Sequence, residues 1–232
     1  MEKQLAGEKA TDFIKNVMVL GLGTRTTVFH TINKVAIVKI DKLGRMISMN
    51  VLLTSAGLEN ERIRSFFLKM LDKEQRDVKV LFIPVAAISV GAIEVLPKCV
   101  EDIISCGIVD ENIRVYDLHK FMHYEEVKKY DVIYICGGDS EYLLERINEN
   151  GFSNVLNEYI RNDGCLIGVS AGSTIAANNL EHNLGWINCR LNVHCDKGSP
   201  SGEIDLSVQK EIYLTDKQAI YLSDINKGYI IE

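Results

Sequence analysis

The sequence predicts an α/β fold of three layers, a mostly parallel sheet with helices on both faces. Three observations carry this. From Met49 onward, short apolar runs alternate with amphipathic stretches of roughly 10 to 15 residues, the pattern of βαβ units. Several of those runs are apolar at every position, as strands covered on both faces must be. One of them, Cys165-Leu-Ile-Gly-Val169, passes directly into Ser170-Ala-Gly-Ser-Thr-Ile-Ala-Ala177, a strand-to-helix turn with Gly168 and Gly172 placed two before and two after the serine.

Taken in order, residues 3–16 read as a helix with Leu5, Ala6, Ala10, Phe13 and Ile14 on one face. Val17–Leu20 is a short strand, Gly21-Leu-Gly-Thr24 a tight turn, Thr26–Ile32 a second helix and Val35–Ile40 another strand. Asp41–Ser48 is polar and reads as a linker. The domain boundary therefore falls at residue 48 or 49, between an extension, 1–48, and a main domain, 49–232.

In that domain Asn50–Gly57 is a buried strand ending in a small-residue loop, Arg62–Asp72 a helix, and Lys79–Pro84 a second strand closed by its proline. Ile93–Cys106 is a helix stopped by Gly107, Ile113–Leu118 a third strand, Val127–Tyr130 a helical turn and Asp131–Cys136 a fourth strand. Ser140–Asn150 and Val155–Asn162 are helices ending before Gly151 and Gly164. The Cys165 strand follows, then strand-like stretches at Trp186–Val193 and Glu211–Leu222 with antiparallel character at the sheet edge.

The 232 residues are enough for one α/β domain with an attachment, and 47% hydrophobic with 25% charged residues is the balance of a globular protein. Lys+Arg 26 against Asp+Glu 32 gives a net charge of −6, and no basic run occurs, which argues against a nucleic-acid partner. No apolar stretch approaches the roughly 18 residues of a membrane span. Residues 1–15 lack the apolar segment of a signal peptide, so a cytoplasmic location is expected. Six cysteines without a Cys-x-x-Cys pair read as reduced, mostly buried thiols, with no metal site expected.

In an open parallel sheet the ligand site lies beyond the carboxyl ends of the strands. Ser170, Thr54-Ser55, Pro84-Val85 and Gly137-Gly138 are expected there, with Ser170 above the positive end of a helix. A serine nucleophile needs a base, an orienting carboxylate and oxyanion donors. His194, ending a strand-like run, is preferred as base over His182, which sits in a polar loop. Asp216, in the turn Leu214-Thr-Asp-Lys-Gln218, is preferred as orienter, with Asp196 and Glu203 as rivals. The amide of Ala171 is one expected oxyanion donor and the Gly137-Gly138 turn supplies the other, with Asp139 capping the helix that follows.

Two resemblances add to this. Residues 3–34, in Leu5-Ala-Gly-Glu-Lys-Ala10 through Gly21-Leu-Gly-Thr-Arg-Thr-Thr-Val28, resemble the amino terminus of ribose-5-phosphate isomerase, whose Gly-Leu-Gly-Thr turn lies beside the sugar-phosphate site. That family's later catalytic motifs have no counterpart, and no isomerase activity is expected. Residues 49–232 resemble the serine peptidase family of dipeptidase E and cyanophycinase. The matching stretches are Leu53-Thr-Ser-Ala-Gly57, Phe82-Ile-Pro84, Ile133–Leu144, Gly168-Val-Ser-Ala-Gly-Ser173, Leu184-Gly185, Val193-His194 and Leu214-Thr-Asp216.

The resemblance implies the flavodoxin-like fold of class I glutamine amidotransferases. It implies Ser170 as nucleophile, His194 as base, Asp216 as third member and Gly138 and Ala171 as oxyanion donors, with Gly137, Asp139 and Ser55 lining the substrate site. It also implies no cofactor, a small peptide as substrate and a homodimer as the oligomer to consider. Three departures stand against it. Cys136 replaces a glycine, Asp139 replaces an asparagine, and no arginine follows Arg190, so recognition of a substrate aspartate would fall to Lys197 or Lys210. The alternative they motivate, together with the extra amino-terminal segment, is a binding protein that keeps the fold without turnover.

Overall fold

The chain divides into two units at Ser48 and Met49, and the structure, a computed structural model, describes residues 49–232. The elements expected within 1–48, and the isomerase-like stretch, lie outside the described residues.

The domain is built on an eight-stranded sheet of order β3-β2-β4-β5-β1-β9-β10-β7. The five strands β1 (Asn50–Thr54), β2 (Val80–Ile83), β3 (Ile113–Val115), β4 (Val132–Ile135) and β5 (Cys165–Val169) are mutually parallel. Antiparallel strands β9 (Ala219–Asp224), β10 (Lys227–Ile231) and β7 (Gly202–Asp205) extend the sheet beyond β1. Outside it, β6 (Arg190–Asn192) pairs in parallel with β8 (Glu211–Tyr213).

Continuous apolar runs become strands buried along their whole length, as β2, β4 and β5 are. Successive side chains leave a strand on opposite faces. Leu52, Phe82, Tyr134 and Ile167 form one cluster with Ile63 and Phe67 of α1 (Glu61–Lys69) and with Cys99 and Ile103 of α2 (Val90–Ser105). The alternate residues, such as Leu53, Ile133 and Leu166, are buried on the other face, and α4 (Ser140–Glu149) and α5 (Phe152–Arg161) bury Leu143, Ile147, Phe152 and Leu156. The three-layer, mostly parallel fold is therefore present. The short helix α3 (Tyr124–Val127) joins β3 to β4, and α6 (Ala171–Thr174) follows β5.

Several boundaries differ from the sequence reading. Helix α2 starts at Val90, not Ile93, because the Ser89 hydroxyl caps it by accepting from the Ala92 amide at 3.2 Å. Helix α3 covers 124–127 rather than 127–130. The strand expected at 211–222 is two strands, β8 and β9, in different sheets, separated by the turn 214–218. Only Arg190–Asn192 of 186–193 is extended, and β7 and β10 were not anticipated: β7, at the outer edge, carries one isoleucine among polar residues.

The register sets the site. Thr54 stands opposite Val169, and Ile135 opposite Gly168. The residues following β1, β4 and β5 therefore emerge side by side.

Candidate active site

Ser170 occupies the turn between β5 and α6 at φ 48°, a conformation that side-chain-bearing residues rarely adopt. Its neighbours explain how the turn closes. A Cβ at Gly168 would lie 2.5 Å from the Gly172 carbonyl oxygen, and one at Gly172 would lie 2.4 Å from that of Ile135. Only glycines allow that approach. The Ser170 amide donates to the Thr54 carbonyl at 3.0 Å, prolonging the β1–β5 ladder past its end. Beneath it the buried Ser173 hydroxyl lies 2.8 Å from the carbonyls of both Thr54 and Gly168. Helix α6 is only four residues long, so the dipole expected under Ser170 is a fraction of a full helix's.

The structure brings Ser170, His194 and Asp216 into one hydrogen-bonded chain. Ser170 Oγ is 2.8 Å from His194 Nε2, and His194 Nδ1 is 2.6 Å from Asp216 Oδ1. A proton on Nδ1 donated to the carboxylate leaves Nε2 to accept from the serine hydroxyl. The pair is open to solvent, the His194 and Asp216 side chains being 51% and 61% exposed. Among the described residues, neither Asp196 nor Glu203 hydrogen-bonds to His194; Glu203 lies in β7, paired with Tyr229.

The turn after β4 lies against the nucleophile. A Cβ at Gly137 would stand 3.1 Å from Ser170 Cβ and 3.7 Å from its Oγ. Gly138 has φ 138°, and a Cβ there would lie 2.0 Å from the Ala86 carbonyl oxygen, which accepts the Asp139 amide at 2.8 Å. The Gly138 and Ala171 amides have no acceptor among the described residues. The Asp139 carboxylate accepts from the Tyr142 amide at 2.9 Å and so caps α4. Cys136, the replaced glycine, is fully buried in the cluster with Tyr134 and Cys99, and burial pushes its thiol strongly upward. Both departures therefore leave the turn geometrically intact.

Ser55 requires a correction. It was expected to line the substrate site, but it is wholly buried and its hydroxyl bonds to the His194 amide at 2.8 Å and to Asp216 Oδ1 at 3.0 Å. A second group that sequence reasoning missed is Gln218, 3% exposed. Its side chain donates to the Ser199 carbonyl at 2.9 Å and accepts from the Thr215 amide at 3.1 Å, tying the loop after His194 to the turn carrying Asp216. Gly198 permits this: a Cβ there would lie 1.6 Å from Gln218 Oε1. A polar turn residue just before a strand gives no hint of burial.

No grouping of three or more His, Cys, Asp or Glu side chains able to hold a metal occurs among the described residues. Their cysteines are free, and only Cys195, beside His194, is better than buried. Burial pushes the Cys106 thiol up to about 11 and the Cys165 thiol to about 12. A cavity of about 310 Å³ lined by Asn50, Tyr124, Tyr159 and Cys165 opens at the amino ends of β1 and β5, the end of the sheet opposite Ser170. No helix among the described residues is long and apolar enough to cross a membrane.

A serine held at the carboxyl edge of a parallel α/β sheet, bonded to a histidine that is bonded to a carboxylate, is the arrangement of a serine hydrolase. The family follows from comparison. The profile of peptidase family S51 matches residues 51–184 of the 232, and the chain belongs to that family. The match spans Gly138 and Ser170 and stops before His194 and Asp216.

Two crystal structures share the fold. One, of a peptidase E protein from Listeria monocytogenes EGD-e, has a TM-score of 0.60 at 18% identity, covering 80% of this chain and 100% of that one. The other, of a peptidase from an acI-B1 actinobacterium, has a TM-score of 0.56 at 16% identity, covering 80% of this chain and 88% of that one. Curated sequences matching the chain include ribose-5-phosphate isomerase A of Listeria monocytogenes serotype 4b (strain F2365), 40% identical over 60 residues, which are 26% of this chain and 23% of that protein. The enzyme of the same name from Listeria innocua serovar 6a is 40% identical over 63 residues, 26% of this chain and 25% of its own. The chain thus spans about a quarter of the length of these curated relatives.

Proposed function

We propose that residues 49–232 are a serine peptidase that cleaves an amide bond in a small peptide through an acyl-enzyme on Ser170. The observation that supports this most directly is the unbroken chain from Ser170 Oγ through both nitrogens of His194 to Asp216. Ser170 Oγ attacks the carbonyl carbon while its proton passes to His194 Nε2. Asp216 stabilises the imidazolium that forms. The carbonyl oxygen, now an anion, is received by the amides of Gly138 and Ala171. Collapse of this intermediate breaks the C–N bond, and the Nε2 proton leaves with the amine. Water, deprotonated by the same nitrogen, then attacks the ester, and the proton returns to Ser170 as the acid departs.

Hydrolysis of a panel of dipeptides and blocked amino-acid amides, compared between the wild type and Ser170→Ala, tests the proposal. Turnover of at least one member, lost in the variant, is expected. A second reading, a binding protein without turnover, is favoured by the exposure of the His194–Asp216 pair, since a solvated carboxylate stabilises a developing positive charge weakly. Labelling of Ser170 by an active-site phosphonate separates the two: rapid labelling supports the peptidase, and none supports the binding protein.

A further inference from the structure

From this serine-peptidase reading, on which the argument rests, we infer that Ser55 is a positioning residue that holds His194 and Asp216 in register by bonding to both. Ser55 is the first residue after β1 and is 0% exposed, so it cannot meet substrate. Its hydroxyl lies 2.8 Å from the His194 backbone nitrogen and 3.0 Å from Asp216 Oδ1. The direction of both bonds follows from chemistry. A backbone N–H can only donate, so Ser55 Oγ accepts from His194, and the one hydroxyl proton goes to the carboxylate. Asp216 Oδ1 thus receives two donors, the Ser55 hydroxyl and His194 Nδ1, and they set its orientation from two sides.

Two features make such a hold necessary. Asp216 is more exposed than buried, and no other donor to its carboxylate occurs among the described residues, so without Ser55 the His194–Asp216 pair would stand in water on one contact. His194 itself has φ 57°, a left-handed conformation that costs a residue bearing a Cβ and persists only where its surroundings enforce it. The Ser55 hydroxyl satisfies the amide that this conformation turns inward. The Ser55 amide adds a third tie, donating to the Gln218 carbonyl at 3.4 Å, two residues beyond Asp216.

The test uses Ser55→Ala and Ser55→Thr in the full-length chain. For Ser55→Ala, kcat on a hydrolysed dipeptide is expected to fall about 10- to 100-fold, the cost of a small misplacement of a reacting group. KM should stay within about twofold. Phosphonate labelling of Ser170 should slow in parallel, and Ser55→Thr, which keeps the hydroxyl, should recover most of the rate. Because Ser55 acts through the pair, its loss should be much smaller when measured in an Asp216→Ala background. That comparison stands even where the added methyl of threonine prevents folding. Independently of turnover, exchange of the His194 amide hydrogen should accelerate at least about tenfold in Ser55→Ala, since its acceptor is gone. Unchanged kcat, a rise confined to KM, losses that multiply fully with Asp216→Ala, or unchanged His194 exchange would each overturn the inference. Failure of the peptidase reading looks different: wild-type Ser170 then resists the phosphonate, while the His194 exchange comparison still decides the role of Ser55.

Discussion

Replacing Gly138 by alanine tests whether the turn after β4 supplies an oxyanion donor. The added Cβ would lie 2.0 Å from the Ala86 carbonyl oxygen, 2.4 Å from its carbon and 2.9 Å from the Ala87 nitrogen, all of them backbone atoms that no rotamer change can move. To reach even a 3.0 Å contact the turn must withdraw by about 1 Å, which lengthens the 2.8 Å bond from the Asp139 amide to Ala86 and carries the Gly138 amide away from Ser170. The φ of 138° compounds the strain, because that region is all but restricted to glycine. Loss of one oxyanion donor costs on the order of 100-fold or more in kcat, about 2.7 kcal/mol or more of transition-state stabilisation. Strain and the weakened turn together should destabilise the fold by about 2 to 4 kcal/mol. Steady-state kinetics on a hydrolysed dipeptide and a thermal melt read the two effects separately. Gly91→Ala, where an added Cβ meets nothing within 4 Å, is the control and should leave kcat unchanged. A folded Gly138→Ala with wild-type kcat would refute the assignment of that amide to the oxyanion.

Three further outcomes are expected. Gln218→Ala leaves the Thr215 amide and the Ser199 carbonyl without their side-chain partner, at about 1–3 kcal/mol, so Tm should fall by at least about 2 °C and kcat with it; an unchanged melt would count against the clamp. Burial raises the Asp102 carboxyl above its ordinary range, although the Leu58 amide donates to it at 2.9 Å. The native state therefore favours the protonated acid, and that contribution is complete below the unfolded value and lost as pH rises through the folded one. Asp102→Asn, which keeps an acceptor for Leu58, should accordingly raise Tm at pH 7 and lose its advantage below about pH 4; a gain independent of pH would contradict this. A chain starting at Met49 should fold and unfold cooperatively by itself, and insoluble or non-cooperative protein would move the proposed boundary.

The parallel half of the sheet was legible because burial on both faces forces unbroken apolar runs, and Val132–Ile135 and Cys165–Val169 announce themselves in that way. Ser170 was legible because Gly168 and Gly172 meet backbone at 2.5 and 2.4 Å, a constraint that only glycine meets and that composition therefore records. The carboxyl-terminal part was harder. The stretch 211–222 has the residue types of one strand, yet Asp216 and Gln218 are needed in a turn, and the contacts that demand the turn lie at Ser55, His194 and Ser199. Those partners are between 19 and 161 residues distant, so no local pattern reports them. Ser55 misled for the same reason. A small polar residue at a strand end looks equally suited to substrate and to a neighbouring loop, and only the position of His194 decides.

Nucleophile and base reach this site from segments that do not adjoin, the turn after β5 and the loop after β6. Each is fastened by its backbone amide: Ser170 to the carbonyl of Thr54, His194 to the hydroxyl of Ser55. The two anchors are consecutive residues, with Cα atoms about 3.8 Å apart across a single planar peptide. The distance between the reacting groups is thus referenced to one rigid gauge block at the end of β1. Drift in either arm is measured against the same stop, on which the spacing for proton transfer depends.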